Sequence, residues 1–250
     1  MHDELLDALD EEQRTLASMV APLDAESLLK PSRCDGWSIA DVLVHLAQTN
    51  ELAAASTRGL FGEAVQSAPQ VGEAADVDQW AAAAVHAESD TSPETARTRW
   101  LASASAQVDA FRGIDSSARV QWVSGELAAR SLATTRLAET WIHSADIAWG
   151  LGLDLEPSRR LWHIARLAHR TLPYAFARAG EEPTGEVAFV LDAPDGTEWA
   201  FGDPAAPTVL RGPALELCQV AGQRVRAGDT SLRGVGPDAI AALAVVRTFA

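Results

Sequence analysis

The chain has 250 residues, of which 47% are apolar, so it is long enough for one large domain or two small ones, each with a real core. Twenty basic against thirty-five acidic side chains give a formal net charge of −15. This charge argues against nucleic acid and anionic membrane surfaces as partners, because binding to phosphate needs a basic face.

The cysteines and the N-terminal segment predict a cytoplasmic protein with reduced thiols. Cys34 and Cys218 are far apart and lie outside any CxxC motif. The first residues, "MHDELLDALDEEQ", are acidic and amphipathic, unlike a signal peptide. The longest apolar run, "AIAALAVV" at 239–246, is too short to span a bilayer.

Apolar residues recur with a period near 3.6 over most of the first two thirds of the chain, which predicts helices. Leu5, Leu6, Leu9, Leu16, Met19 and Val20 mark the first helix. The second covers 36–65, with Ser38 as its N-cap and Asp41 as the capping-box partner. Residues 67–91 are less regular, apart from a short helical piece at 80–86.

Three further helices complete a predicted up-down bundle of four or five long helices. One begins near "TSPETARTRW", with Pro93 in its first turn, and ends near Gly113. The next runs from about Gly125 to Trp149 and is ended by glycines. The last covers about 157–179.

The pattern changes at "GEEPTGEVAFVLDAPDGTEWAFG". Residues 186–191 and 197–201 read as strands joined by the turn "APDG", and "TVLRG" adds another strand. "GPALELCQVAGQ" and "PDAIAALAVVRTFA" then read as helices. The predicted fold class is therefore mostly α, with a helical bundle over 1–182 followed by a small α+β domain over 183–250.

The stretch "ETWIHSADIAWG", residues 139–150, places polar groups on an apolar helix. Glu139 and His143 are four residues apart and project from one face, and Asp146 follows three residues later. Bundle cores build metal sites from such residues. His45 is the third candidate ligand, because it lies within the apolar stripe of the second helix. The spacing alone leaves open a simple hydrogen-bonded pair of Glu139 and His143 at a helix interface.

A longer motif, "CDGWSIADVLVHLA" at 34–47, resembles the second helix of the DinB-like metal-binding bundles. More narrowly, it resembles the mycothiol-dependent maleylpyruvate isomerase family, which pairs this His with a Glu-x-x-x-His. The resemblance implies His45, Glu139 and His143 as ligands of one divalent metal. "TVLRGPALELCQVAGQR" is similar to the small sterol-carrier-like domain of that family.

The chemistry follows from this resemblance. Two His and one carboxylate leave a fourth position open on zinc, the first choice of metal, although the same ligands suit Ni, Fe or Mn. Mycothiol is the implied co-substrate. Its thiolate would add to a small electrophile such as an unsaturated dicarboxylate, and rotation and thiol elimination would make the protein an isomerase. Addition without elimination would make it an S-transferase.

Three further residues are assigned around this site. Asp146 is expected to accept a hydrogen bond from a ligand imidazole; the alternative is a solvated charge near the helix end. Arg136, three residues before Glu139, is a candidate for binding substrate carboxylates. The resemblance implies Arg224 as a second candidate, carried on a small domain packed over the mouth of the pocket. For Arg136 the alternative is an ion pair with Glu139. Cys34 is interpreted as a small packed residue.

Two other functions stay open from the sequence. The protein could be a non-catalytic binding protein, in which the small domain holds a ligand and the bundle site is vestigial. It could also be a stress-associated DinB-like protein without a defined substrate. Metal content and metal-dependent consumption of a thiol separate both from the enzyme.

Overall fold

The computed structural model describes residues 2–67, 77–123 and 125–248 and confirms a mostly helical fold with a C-terminal α+β part. The chain folds into two compact units, Met1–Leu155 and Glu156–Ala250. The described elements of the first unit are α1 (His2–Val20), α2 (Ala25–Leu28), α3 (Ile39–Thr57), α4 (Phe61–Ser67), α5 (Val77–His86), α6 (Pro93–Arg112), β1 (Arg119–Trp122), β2 (Gly125–Ala128) and α7 (Ala129–Leu151).

The four long helices of the first unit form a bundle. α1 and α3 each pack against both α6 and α7, so α3 and α7 are neighbours. Two separate apolar clusters fill the interior. One contains Leu16, Val20, Leu43, Leu46 and Trp100, and the other contains Leu6, Leu9, Phe111, Leu132 and Leu137. The polar residues between the two clusters are described with the site below.

The start of α3 agrees with its sequence. Ser38 is the N-cap, its side chain accepts a hydrogen bond from the backbone N–H of Asp41, and the Asp41 carboxylate accepts one from the N–H of Ser38. This confirms the predicted capping box. The predicted single helix over 36–65 is wrong, because α3 ends at Thr57. Gly59 has a left-handed φ of 73°, which a right-handed helix cannot contain.

The sequence did not predict the hairpin that precedes α7. β1 and β2 pair antiparallel, with Val120 opposite Leu127, so α7 begins at Ala129 rather than at Gly125. Gly125 has φ +105°, which is incompatible with the first turn of a helix. The Ser56 hydroxyl donates to the carbonyl of Gln121 and so ties the hairpin to α3. α5 confirms the helical piece at 80–86, while residues 68–76 of the irregular segment lie outside the described residues.

The second unit is a small α+β assembly. Its four-stranded sheet has the order β4-β3-β5-β6, with β3 parallel to β5 and the other pairs antiparallel. The elements are α8 (Leu161–Ala179), β3 (Val187–Asp192), β4 (Glu198–Phe201), β5 (Thr208–Pro213), α9 (Ala214–Ala221), a 3₁₀ turn (Ala227–Asp229), β6 (Arg233–Val235) and α10 (Ala239–Val245). β6 was not predicted.

The division between the units differs from the expected boundary at 182–183. α8 groups with the second unit because it packs against α9, α10 and β4. The sequence pattern assigned α8 to the bundle, because α8 follows the other helices and shares their period. An amphipathic helix does not itself indicate which neighbour covers its apolar face. In the described part of the chain, no helix is both long and apolar enough to cross a membrane.

Candidate metal centre

Three side chains from two neighbouring helices of the bundle converge. α3 supplies His45, and α7 supplies Glu139 and His143 on one face. The Nε2 atom of His143 is 3.6 Å from Oε2 of Glu139, and Nε2 of His45 is 4.0 Å from the same oxygen. All three ligand atoms lie within 4.8 Å of one another. A tetrahedral zinc with bonds of ~2.0–2.2 Å needs its ligand atoms roughly 3.3–3.6 Å apart, so the two distances to Oε2 of Glu139 are close to the required spacing.

Burying the ionisable groups of this cluster costs free energy unless an opposite charge lies close to them. His45 is 8% exposed and His143 is 7% exposed. Burial lowers the pKa of His45 to about 4, although the nearby Glu139 carboxylate opposes the shift. Burial would raise the pKa of Glu139, but the nearby His143 and His45 rings outweigh it and hold that pKa well below its usual range. Glu139 is therefore a carboxylate, ready to bind a cation.

The other ring nitrogen of His143 faces a second group. Its Nδ1 is 3.0 Å from Oδ2 of Asp146, a residue with no exposed surface. The Cys34 thiol donates to the same Asp146 oxygen at 3.2 Å and lies 3.7 Å from Nδ1 of His143. Burial would lower the pKa of His143, but its hydrogen bonds with Asp146 and Cys34 and the nearby Glu139 carboxylate outweigh burial and raise the pKa well above the usual value.

The sequence did not indicate the place of Cys34, which contacts the site as well as packing against the core. A loop brings it there. The backbone N–H of Arg33 donates to the carbonyl of Asp146, and a Cβ on Gly150 would lie 2.4 Å from the carbonyl oxygen of Pro31. The same loop places the Trp37 ring 5.2 Å from the His45 ring. Cys34 is 109 residues from His143 in sequence, so no local spacing could have indicated the contact.

Arg136 lies inside the bundle one turn before Glu139 and is only 2% exposed. Its Nη2 donates to Oγ1 of Thr49 at 2.8 Å and to Oδ1 of Asn50 at 3.3 Å. Burial lowers the pKa of Arg136 to about 10, against the attraction of the Glu139 charge, so the guanidinium stays protonated at neutral pH. These two hydrogen bonds direct the guanidinium to α3.

Arg224 belongs to the second unit. It follows Gln223, whose φ is +59°, and its Nη1 donates to the carbonyl of Gly222 at 2.9 Å. The side chain lines a pocket of about 320 Å³ with residues of α9 and α10, among them Val220 and Leu243.

The donor set fits a divalent cation. Two imidazole nitrogens and a carboxylate oxygen are ligands that zinc accepts, and they leave one tetrahedral position for another molecule. The Nδ1 atom of His143 is held by a carboxylate, as is usual for a ligand imidazole. A second potential group, Cys34, His143 and Asp146, shares His143 with the first. We assign Cys34 and Asp146 to the support of His143 rather than to metal binding, because Asp146 already forms a close hydrogen bond with the His143 ring.

Comparisons with known proteins identify the family to which the bundle belongs. The family described as "Mycothiol maleylpyruvate isomerase N-terminal domain" matches residues 9–148. Two uncharacterised proteins from two strains of Mycobacterium tuberculosis are each 31% identical over 243 residues, covering 96% of this chain and 92% of theirs. The chain belongs to the mycothiol maleylpyruvate isomerase family.

Two solved structures share the fold. A crystal structure of the mycothiol-dependent maleylpyruvate isomerase has a TM-score of 0.65 at 16% identity and covers 94% of this chain and 92% of its own. A crystal structure of a mutant of that isomerase has a TM-score of 0.63, also at 16% identity, and covers 90% of each chain. At this identity the likeness concerns the fold, and both units are included in it.

Proposed function

We propose that this protein is a metal-dependent enzyme that uses mycothiol as co-substrate to isomerise, or to add the thiol to, a small electrophile. The observation that carries the proposal is the convergence of His45, Glu139 and His143 in the bundle. Membership of the mycothiol maleylpyruvate isomerase family supports the thiol as the partner of this site. Zinc is the metal we propose, since two imidazoles and a carboxylate suit it.

The metal, when bound, would supply a Lewis acid that lowers the pKa of a thiol at the open position. The residues of the chain do the rest. Asp146 accepts the Nδ1–H of His143, so Nε2 is the nitrogen that would bind the metal once its own proton is lost. The carboxylate of Glu139 would neutralise one of the two positive charges of the bound metal. The rings of Trp37 and His143 lie 5.2 Å and 4.9 Å from the His45 ring and restrict its orientation.

The substrate class we propose is an unsaturated dicarboxylate. Arg224 is our candidate for its carboxylate, because a guanidinium binds a carboxylate through two parallel hydrogen bonds. The sequence also suggested Arg136 for this role. Its hydrogen bonds to Thr49 and Asn50 and its burial support a different role, argued in the next subsection.

The metal site is tested by His45→Ala. We expect the purified variant to lose stoichiometric zinc while its helical circular dichroism stays close to that of the wild type, since truncating one side chain leaves the backbone hydrogen bonds of α3 in place. His86→Ala is the matched control, because His86 lies exposed at the end of α5. A His45→Ala variant that still binds one zinc per chain would contradict the proposed ligand set.

The activity is tested by following consumption of the mycothiol thiol with a panel of activated alkenes and other electrophiles. We expect consumption or cis–trans conversion by the zinc-loaded protein, loss on chelation and recovery when zinc is returned. Net thiol consumption would indicate an S-transferase, and conversion without it an isomerase. Bound zinc without turnover of any electrophile would favour the non-catalytic alternative.

A further inference from the structure

The candidate metal centre lies against a buried polar layer that crosses the whole bundle. This layer separates the two apolar clusters described above, and its members lie on all four long helices: Gln13, Thr49, Asn50, Ser103, Gln107 and Arg136. Each of them is 9% exposed or less. Burying a guanidinium and three amides costs desolvation free energy, which apolar residues at these positions would avoid. Stability alone therefore does not explain the layer.

The layer is continuous through its hydrogen bonds. Gln13 donates to Gln107 at 3.0 Å, and Gln107 donates to Oδ1 of Asn50 at 2.8 Å. Asn50 donates in turn to the hydroxyl of Ser103 at 3.3 Å. Arg136 donates to Asn50 Oδ1 and to the Thr49 hydroxyl, and so brings α7 into a network that otherwise joins α1, α3 and α6.

One branch of the layer ends on a proposed metal ligand. The Thr49 hydroxyl accepts from Nη2 of Arg136 and donates to the backbone carbonyl of His45 at 2.9 Å. Arg136 itself lies three residues before Glu139 on α7. A chain of two hydrogen bonds therefore links the backbone of His45 to the helix that carries Glu139 and His143, one turn away from the ligands on each helix.

We propose that Arg136, acting through Thr49, is a positioning residue that holds α3 and α7 at the spacing needed for His45, Glu139 and His143 to bind one metal. A short hydrogen-bonded bridge resists sliding and separation of two helices more specifically than apolar side chains, which repack with small shifts. The buried Nε of Arg136 has no hydrogen-bond partner among the described residues. The hydrogen bonds of the guanidinium are those that Nη2 donates to Thr49 and Asn50 on α3. The proposal rests on the metal site proposed above.

The test compares metal affinity and metal geometry, rather than activity, in the wild type and four variants. Three variants alter the bridge: Thr49→Val, which keeps the side-chain shape and removes the hydroxyl, Arg136→Met, which keeps length, and Arg136→Lys. Gln13→Met is the matched control, because it breaks a buried hydrogen bond between α1 and α6 in the same layer and leaves the hydrogen bonds between α3 and α7 in place. Zinc affinity is measured by competition with a chromophoric chelator, and geometry by the visible absorption of the Co²⁺-loaded protein.

We expect Thr49→Val and Arg136→Met to weaken zinc binding by about 10- to 100-fold, the range seen when partners behind metal ligands are lost. The Co²⁺ bands of both should shift or lose intensity, and Arg136→Lys should recover part of the affinity. Gln13→Met should lower the thermal midpoint while its zinc affinity stays within about twofold of the wild type, since it leaves the bridge intact.

Equal affinities and identical Co²⁺ spectra in wild type, Thr49→Val and Arg136→Met would overturn the positioning role. If these variants instead kept the metal and showed only a raised KM for a dicarboxylate, Arg136 would be a substrate-binding residue. A wild-type protein that binds neither zinc nor Co²⁺ would refute the metal site itself, which is a separate failure. Should Arg136→Met not fold, Thr49→Val decides the question, because valine matches threonine in shape.

Discussion

At the scale of single residues, His143 has two acidic neighbours, one for each ring nitrogen. Nε2 faces Glu139 in the ligand cluster, and Nδ1 faces Asp146 behind it. This arrangement orients the ring, because Asp146 accepts the hydrogen bond from Nδ1 while Nε2 points into the ligand cluster. Asp146 therefore determines which nitrogen is presented to a cation, although it does not belong to the proposed ligand set.

Asp146→Asn tests that role. Asparagine fills the same space and can still accept a hydrogen bond, but it lacks the negative charge that makes the His143 ring a better donor to a metal. We expect zinc affinity, measured by chelator competition, to fall by about 10- to 100-fold. Asp109→Asn is the control, because Asp109 is exposed on α6. Unchanged affinity in Asp146→Asn would assign Asp146 to packing alone.

Metal binding should release a proton from the site. In the metal-free protein the pKa of His143 lies well above its usual value, so the ring is protonated at neutral pH, and a cation must displace that proton to bind at Nε2. Zinc affinity should therefore rise with pH, by up to about tenfold per unit, until pH passes the raised pKa. Isothermal titration in buffers of different ionisation enthalpy measures the release.

The number of protons released per zinc also distinguishes the contributions of the two histidines. His45, whose pKa is lowered to about 4, is already neutral at pH 7 and contributes no proton. We therefore expect about one proton per zinc rather than two. An affinity that stays constant between pH 6 and 8 would show that the His143 ring is neutral before the metal arrives.

At the scale of elements, the loop before α3 is fitted against the last turns of α7. Gly150 permits this approach, because any Cβ there would meet the Pro31 carbonyl oxygen at 2.4 Å. The loop then supplies Cys34 to Asp146 and Trp37 to His45. The contact thus ties one end of α3 to α7, while Arg136 and Thr49 join the same helices further along.

Gly150→Ala should separate the loop from α7. We expect the free energy of unfolding, from urea denaturation, to fall by about 1–3 kcal/mol, the usual cost of forcing atoms into a packed site. Gly113→Ala is the control, because its nearest atoms would be in ordinary contact at 3.5 Å and its φ of −82° suits alanine. A loss in Gly150→Ala no larger than in the control would mean that the loop accommodates the methyl group.

At the scale of the whole molecule, the second unit carries the remaining proposed substrate residue. Arg224→Ala should leave zinc content unchanged and raise KM for an unsaturated dicarboxylate by about tenfold or more, because a lost bidentate charge pair removes at least ~1.5 kcal/mol of binding. Steady-state kinetics with the mono- and dicarboxylate forms of one substrate measure the effect. Arg178→Ala, on the exposed face of α8, is the control.

The monocarboxylate arm makes this experiment specific. If Arg224 binds one carboxylate, removing that carboxylate from the substrate should abolish the difference between Arg224→Ala and the wild type. A difference that persists with the monocarboxylate, or a loss of zinc in the variant, would show that Arg224 acts on the fold or on the metal instead.

Local sequence determined the parts of this protein that depend on neighbours along the chain. The 3.6-residue period placed most of the long helices, Ser38 and Asp41 placed the start of α3, and the i,i+4 spacing put Glu139 and His143 on one face. These features involve interactions within one or two turns, so the side chains themselves specify them. The partnership of His45 with that pair came from the resemblance of residues 34–47 to a known family.

Tertiary structure decided everything that depends on which helices are neighbours. The site of Cys34 beside Asp146, the bridge from Arg136 to Thr49 and the membership of α8 in the second unit join residues far apart in sequence. An amphipathic helix specifies that a face is covered but not by what, and a buried polar residue requires a partner without naming it. Only packing of the whole chain supplies those partners, because long-range interactions carry no periodic trace in the sequence.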